Sequence, residues 1–179
     1  MQQQTSKTAK QILAWLGSMV IEFSDSMESV KGKKYIMTAV RHQRLRDWQT
    51  FNEDRNTKLS INRLRRKKWI KDQLESEQFT ITMHQDAIVS CLKQAIIVCE
   101  ERLPKGKILL VIFDIPNGAN KARVTWRRFL KKAGFHPLQL SVWTTDKNVG
   151  HALHLLGHIL KMEKWLKIVI ADEWELLNQ

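Results

Sequence analysis

The 179-residue sequence is poor in chain-breaking residues, with seven Gly and three Pro. That excludes collagen-like, linker-like and low-complexity chains. Its longest apolar run, Ile108 to Phe113, is six residues, far short of the ~20 needed to span a membrane as a helix. The opening MQQQTSKTAK has no apolar core of signal-peptide length, so a soluble, cytoplasmic chain without a membrane partner is expected. Cysteine is nearly absent. Cys91 and Cys99 would lie about 12 Å apart along one helix, too far for a disulfide. Without a CxxC they form no zinc knuckle, and buried small hydrophobes are expected. No P-loop, GxGxxG, HExxH, GxSxG or paired-carboxylate motif occurs, so the chain is not expected to belong to a familiar enzyme class. Acidic residues are the scarcest relative to their counterpart: 18 Asp and Glu against 30 Lys and Arg, a net charge of +12.

Hydrophobic residues at 43% and charged residues at 27% mark a globular composition. The excess charge divides evenly, +6 on each side of Pro104, so it does not belong to a tail. A balance of this kind favours a polyanion, most often nucleic acid.

Leu103-Pro104-Lys105-Gly106-Lys107 is the natural boundary, because Pro and Gly stop a helical pattern and a strand pattern follows. Two domains are expected, 1–103 and 104–179. In the first, Ile12, Leu16, Met19, Val20 and Phe23 repeat at helical spacing. A polar stretch, Ser24 to Lys34, follows, and a second helix is expected from Tyr35 to about Phe51. Residues 58–71, KLSINRLRRKKWIK, hold seven cations and no acid. On a helix, Ile61 and Leu64 face inward while Asn62, Arg63, Arg65 and Arg66 face out. Phe79, Ile81 and Met83 alternate with Thr80 and Thr82, giving a strand in a hairpin from Ile70 to Met83. A helical period returns from Asp86 to Arg102. This is the element order of a winged helix-turn-helix, in which the basic helix enters the major groove and the hairpin lies along the backbone. The ordinary reading of a cation run is a solvated face. Here it also carries Arg and Asn, which hydrogen-bond to base edges.

In the second half, Ile108 to Phe113 reads as a strand covered on both faces. A helix from about Asn120 to Ala133 carries Ala122, Trp126, Phe129, Leu130 and Ala133 on one face and six cations elsewhere, and Gly134 stops it. His136 to Thr145 reads as two short strands or one bent strand, Asn148 to Met162 as a helix, and Leu166 to Ile170 as a last strand. The order β-α-ββ-α-β is the ferredoxin-like plan, so the fold class expected for the whole chain is α+β.

Asp114-Ile115-Pro116 at the end of an apolar strand, Leu130 to Phe135 closing a basic helix, and the strand Leu138-Gln139-Leu140-Ser141-Val142-Trp143 together resemble the small CRISPR-associated spacer-acquisition subunit. More closely, they resemble the related central domain of PaaX-type transcriptional repressors. The resemblance covers about 70 residues, and such repressors carry a winged helix in front of this domain. It implies a homodimeric regulator that binds double-stranded DNA, with contacts expected from Lys58, Asn62, Arg63, Arg65, Arg66, Lys67, Lys68, Arg123, Arg127, Arg128 and Lys131. The alternative it implies is a spacer-acquisition subunit, either bridging DNA beside a CRISPR integrase or acting as a metal-dependent endonuclease. In that family the Asp ending the first strand is the metal ligand. It maps to Asp114, the catalytic and metal candidate, with Mg²⁺ or Mn²⁺ held between two copies across a dimer axis. No cofactor is required for the regulator.

A lone Asp is a weak catalytic constellation. The plainer expectation is that Asp114 accepts backbone N–H bonds at the start of the following loop and helix. His151, His154 and His158 share one side of a helix but lack a Cys or acid on the same stretch, so a wet flank of the helix is preferred to a metal site.

Overall fold

The computed structural model describes residues 7–24, 28–30, 34–39, 42–75 and 78–172. The chain is mixed α/β and divides into two compact units, Met1–Gln94 and Ala95–Gln179. Among the described residues no helix is long and apolar enough to cross a membrane.

The first unit begins with α1 (Ala9–Glu22). Thr8 caps it, its hydroxyl accepting from Gln11 N while Gln11 Oε1 accepts from Thr8 N, a reciprocal box that satisfies two end N–H groups. Strands β1 (Glu28–Val30) and β2 (Lys34–Ala39) follow, then α2 (His42–Glu53), α3 (Arg55–Arg66), β3 (Ile70–Glu75), β4 (Gln78–His84) and α4 (Gln85–Val98), within which the two units divide. The sheet is antiparallel, in the order β1-β2-β4-β3. Its core takes Ile12, Leu16, Met19, Ile61, Leu64, Ile81, Met83, Ile88 and Leu92, and Trp15 stacks on Trp48 at 5.6 Å. The hairpin from Ile70 onward is present as expected from the sequence. The helix expected from Tyr35 is not: residues 34–39 form a strand, and the helix starts at His42. A six-residue segment is too short for periodicity to separate strand from helix. Pairing with β4, about forty to fifty residues on, decides it.

The second unit contains β5 (Lys107–Phe113), a short 3₁₀ turn, α5 (Asn120–Lys132), β6 (His136–Gln139), β7 (Val142–Thr145), α6 (Gly150–Ile159) and β8 (Leu166–Asp172). Its antiparallel sheet runs β6-β7-β5-β8. The segment before β5 is strapped to the loop after β7. Leu103 N donates to Asp146 O, Asn148 N to Glu101 O, and Lys147 Nζ to Ile97 O, while Arg102 pairs with Asp146.

Both helices pack on one face of this sheet. Arg127 of α5 lies over the Phe113 ring. A Cβ on Gly157 of α6 would come within 2.9 Å of Leu166, and one on Gly150 within 3.3 Å of Leu109. Leu109, Val111 and Phe113 are buried accordingly. Among the described residues the opposite face is only partly covered, contrary to the expectation of cover on both sides: Ile108 is buried, but Ile112 is 39% and Val169 47% exposed. Both α5 and α6 lie on one side of the antiparallel sheet, so among the described residues neither covers the other side. Ala122 is also exposed rather than on the inner face of α5.

Two helices close with a non-glycine residue in the left-handed region, Lys68 after α3 and Lys161 after α6, both at φ 56°. In each case paired N–H groups turn back to the last turn: Lys68 N to Arg65 O with Trp69 N to Leu64 O, and Lys161 N to His158 O with Met162 N to Gly157 O. Glycine is the usual residue there because a Cβ is crowded in that conformation. Lys161→Gly is therefore expected to stabilise the second unit by roughly 0.5–1 kcal/mol, seen as a higher urea midpoint. An unchanged or lower midpoint would mean that the Lys161 side chain contributes more than its backbone costs.

Candidate nucleic-acid interface

Asp54 starts α3 as its N-cap, Oδ2 accepting from Thr57 N at 2.7 Å. That fixes which face turns inward. Thr57, Ser60, Ile61 and Leu64 are buried, and Lys58, Arg63 and Arg66 lie on the solvent side, followed by the exposed Lys67 and Lys68. Among the described residues none of these five cations has an acidic partner. Lys67 Nζ sits 5.2 Å from the centre of the Trp69 ring. Cations concentrate in the last turn, where they complement the negative end of the helix dipole.

Arg65 is different. Its guanidinium grips Asp72 of β3 through two bonds, Nε to Oδ1 at 2.8 Å and Nη2 to Oδ2 at 2.7 Å. It also donates to Asn62 Oδ1 at 2.9 Å and Asn52 Oδ1 at 3.0 Å. Trp48 Nε1 completes the shell on Asp72 Oδ2 at 3.1 Å. Burial alone would raise the Asp72 pKa. The Arg65 and Trp48 hydrogen bonds and the Arg65 charge outweigh it, and the carboxyl is held below its usual value of 3.8. Arg65 thus ties α3 to β3 and, through Asn52, to α2. The sequence grouped it with the outward-facing cations. The sequence offers Trp48 only as a core residue and gives Asp72 and Asn52 no role, and their signal is faint: Asp72 is the first acid after the cation run.

On α5, Arg123 Nη2 donates to Ile115 O at 2.7 Å and Arg127 Nε to Leu140 O at 3.0 Å. These two arginines hold the loop after β5 and the β6–β7 turn. Lys121, Arg128, Lys131 and Lys132 are exposed. Each unit therefore presents a basic helix in which part of the charge secures the fold and the rest faces solvent.

Asp114 is exposed at the end of β5. Its backbone N donates to Trp165 O at 2.8 Å, but among the described residues no hydrogen bond reaches its carboxylate. The expected capping role is not observed: Pro116 precedes the 3₁₀ turn and Ala119 precedes α5, and neither makes a side-chain cap. His151, His154 and His158 are exposed on α6, with His158 Nδ1 on Glu163 Oε1. Among the described residues no three His, Cys, Asp or Glu side chains gather to hold a metal. Cys91 is buried, which pushes its thiol pKa up and leaves it unreactive.

Residues 104–179 match the family model of the PaaX protein central Cas2-like domain. This supports a PaaX-type relationship for the second part of the chain. No curated protein matches the sequence.

Proposed function

We propose that the chain is a PaaX-like transcription regulator that binds double-stranded DNA as a homodimer. The observation that carries this reading is the outer face of α3, where Lys58, Arg63, Arg66, Lys67 and Lys68 lie exposed without acidic partners among the described residues. Unpaired cations on a helix face are what phosphate neutralisation requires. The element order is α-β-β-α-α-β-β-α, and β2 pairs with β4 of the β3–β4 hairpin; a strand before two helices and a hairpin after them supports a winged helix-turn-helix with α3 as the reading helix. In the second unit the β-α-β-β-α-β order supports a ferredoxin-like domain, in line with the family match.

Self-association is assigned to the open face of the second sheet. Leu110 stands opposite Val169, and Ile112 opposite Val142, all on the side away from α5 and α6. Ile112 and Val169 are exposed apolar side chains on this face, beside Lys167 opposite Ile112, and exposed apolar groups gathered on one face mark an interaction surface. A second copy brings the same face, as a two-fold interface requires. Ile112→Glu with Val169→Glu would place two carboxylates per copy in that layer. It is expected to raise the dimer dissociation constant by about 100-fold or more, read by sedimentation velocity. A variant that sediments like the parent protein would move the interface elsewhere.

Selection of binding sites from genomic fragments tests the regulator reading as a whole. Enrichment of a palindromic or pseudo-palindromic site supports it, and recovery without sequence preference contradicts it.

One observation favours a second reading, a subunit of CRISPR spacer acquisition with nuclease or bridging activity: the exposed Asp114 carboxylate at a strand end, without a hydrogen bond among the described residues. A divalent ion such as Mg²⁺ takes about six oxygen ligands, and a single chain offers one carboxylate there, so this chain by itself does not fit the ion. Cleavage of DNA with Mg²⁺ or Mn²⁺ that disappears in Asp114→Ala would favour this reading over the first.

A further inference from the structure

A cavity of about 750 Å³ lies in the first unit at the end of α3, along β3 and β4. It falls within the size range of small-molecule sites, and its wall is mainly apolar. Ile70 forms part of that wall, and Lys71 and Thr82 stand opposite each other across the β3–β4 pairing. Among the described residues the charge on the wall is one-sided. Arg65 is neutralised by Asp72, and His84 faces Asp86 at 3.4 Å. Lys68 and Lys71 also line the cavity, and among the described residues neither has an acidic partner. Lys68 occupies the left-handed backbone position where glycine would be less strained.

An apolar hollow with two uncompensated ammonium groups is complementary to a molecule with an anionic head and an apolar body. We infer that this cavity is a binding site for a small organic anion whose charged group is held by Lys68 and Lys71. A bare phosphate would satisfy the cations but leave the apolar wall wet. A neutral apolar molecule would leave the cations unmatched. The Arg65–Asp72 pair lines the same cavity, so the occupant lies against the contact that holds α3 to β3. The inference goes beyond DNA binding and does not depend on it, because its test contains no nucleic acid.

The probe is 1-anilinonaphthalene-8-sulfonate, an apolar body with one anionic group, titrated by fluorescence into the full chain. Its uncharged counterpart, N-phenyl-1-naphthylamine, is titrated in parallel. Saturable binding of the sulfonate at one site per chain is expected. Lys68→Gln with Lys71→Gln should weaken it at least about tenfold, with Lys71→Arg retaining most of the affinity. The neutral probe should bind more weakly than the sulfonate and respond little to the double substitution. Unchanged circular dichroism establishes that the variants are folded, and should the double variant fail that check, Lys71→Gln alone carries the comparison. Equal binding of the two probes, sulfonate binding indifferent to both lysines, or displacement by inorganic phosphate alone would each overturn the inference.

Discussion

Replacing Arg63, Arg66 and Lys67 together by alanine is expected to weaken duplex binding by about 100-fold or more at low salt and to flatten its salt dependence. Each phosphate contact releases condensed counterions and adds about 0.9 to the slope of log affinity against log salt. Three lost contacts per chain, six per dimer, should therefore reduce the slope by about 5. Stability should barely change, since all three side chains are exposed and, among the described residues, have no acidic partner. That separation is what makes the substitution informative: affinity falls while the melting temperature holds. Equal slopes for parent and variant would place the phosphate contacts elsewhere, with Arg128 and Lys131 on α5 the next group to replace.

The second large effect falls on stability. Asp72→Ala removes the acceptor of two Arg65 bonds and one Trp48 bond and leaves a guanidinium about two-thirds covered. Hydrogen bonds to charged groups contribute about 1.5–3 kcal/mol, and breaking a covered pair from one side costs more than a surface pair. A loss of about 2–3 kcal/mol is expected, with α3 no longer anchored to β3. The pH dependence follows from the depressed Asp72 pKa. In the unfolded chain this carboxyl titrates near 3.8, and in the folded protein it titrates lower. Its contribution is present above the unfolded value and is lost as pH falls through the folded one. The stability gap between the parent and Asp72→Asn should be full near neutrality and shrink as pH drops below about 4. Urea midpoints across that range check it, and a gap that persists into acid would assign the loss to packing rather than to charge.

Elements with a clean period were legible in the sequence. The Phe79–Met83 alternation fixed the hairpin, and the apolar faces of α5 and α6 fixed the β-α-β-β-α-β order. Strand β2 was not legible, because Tyr35 to Ala39 gains its strand character from a partner forty residues away. The continuous apolar run in β5 predicts cover on both faces; among the described residues α5 and α6 cover one, and Ile112, exposed on the other, is among those proposed for self-association. The candidate interface was partly legible. Composition located the cations of α3 but could not separate Arg65 from Arg66. The two are adjacent in sequence and opposite in role, and only the approach of Asp72 from β3 distinguishes them. Arg123 and Arg127 were likewise indistinguishable from Arg128 until the carbonyls of Ile115 and Leu140 were seen to hold them.

The most direct measurement is the affinity of the unmodified chain for a labelled DNA duplex as salt rises from about 50 to 200 mM. Two copies of α3, each neutralising three phosphates, should lose about 10³-fold in affinity over that range. Absence of duplex binding at the low end, or binding that salt leaves unchanged, would contradict the claim that the exposed cations of α3 hold a nucleic-acid backbone.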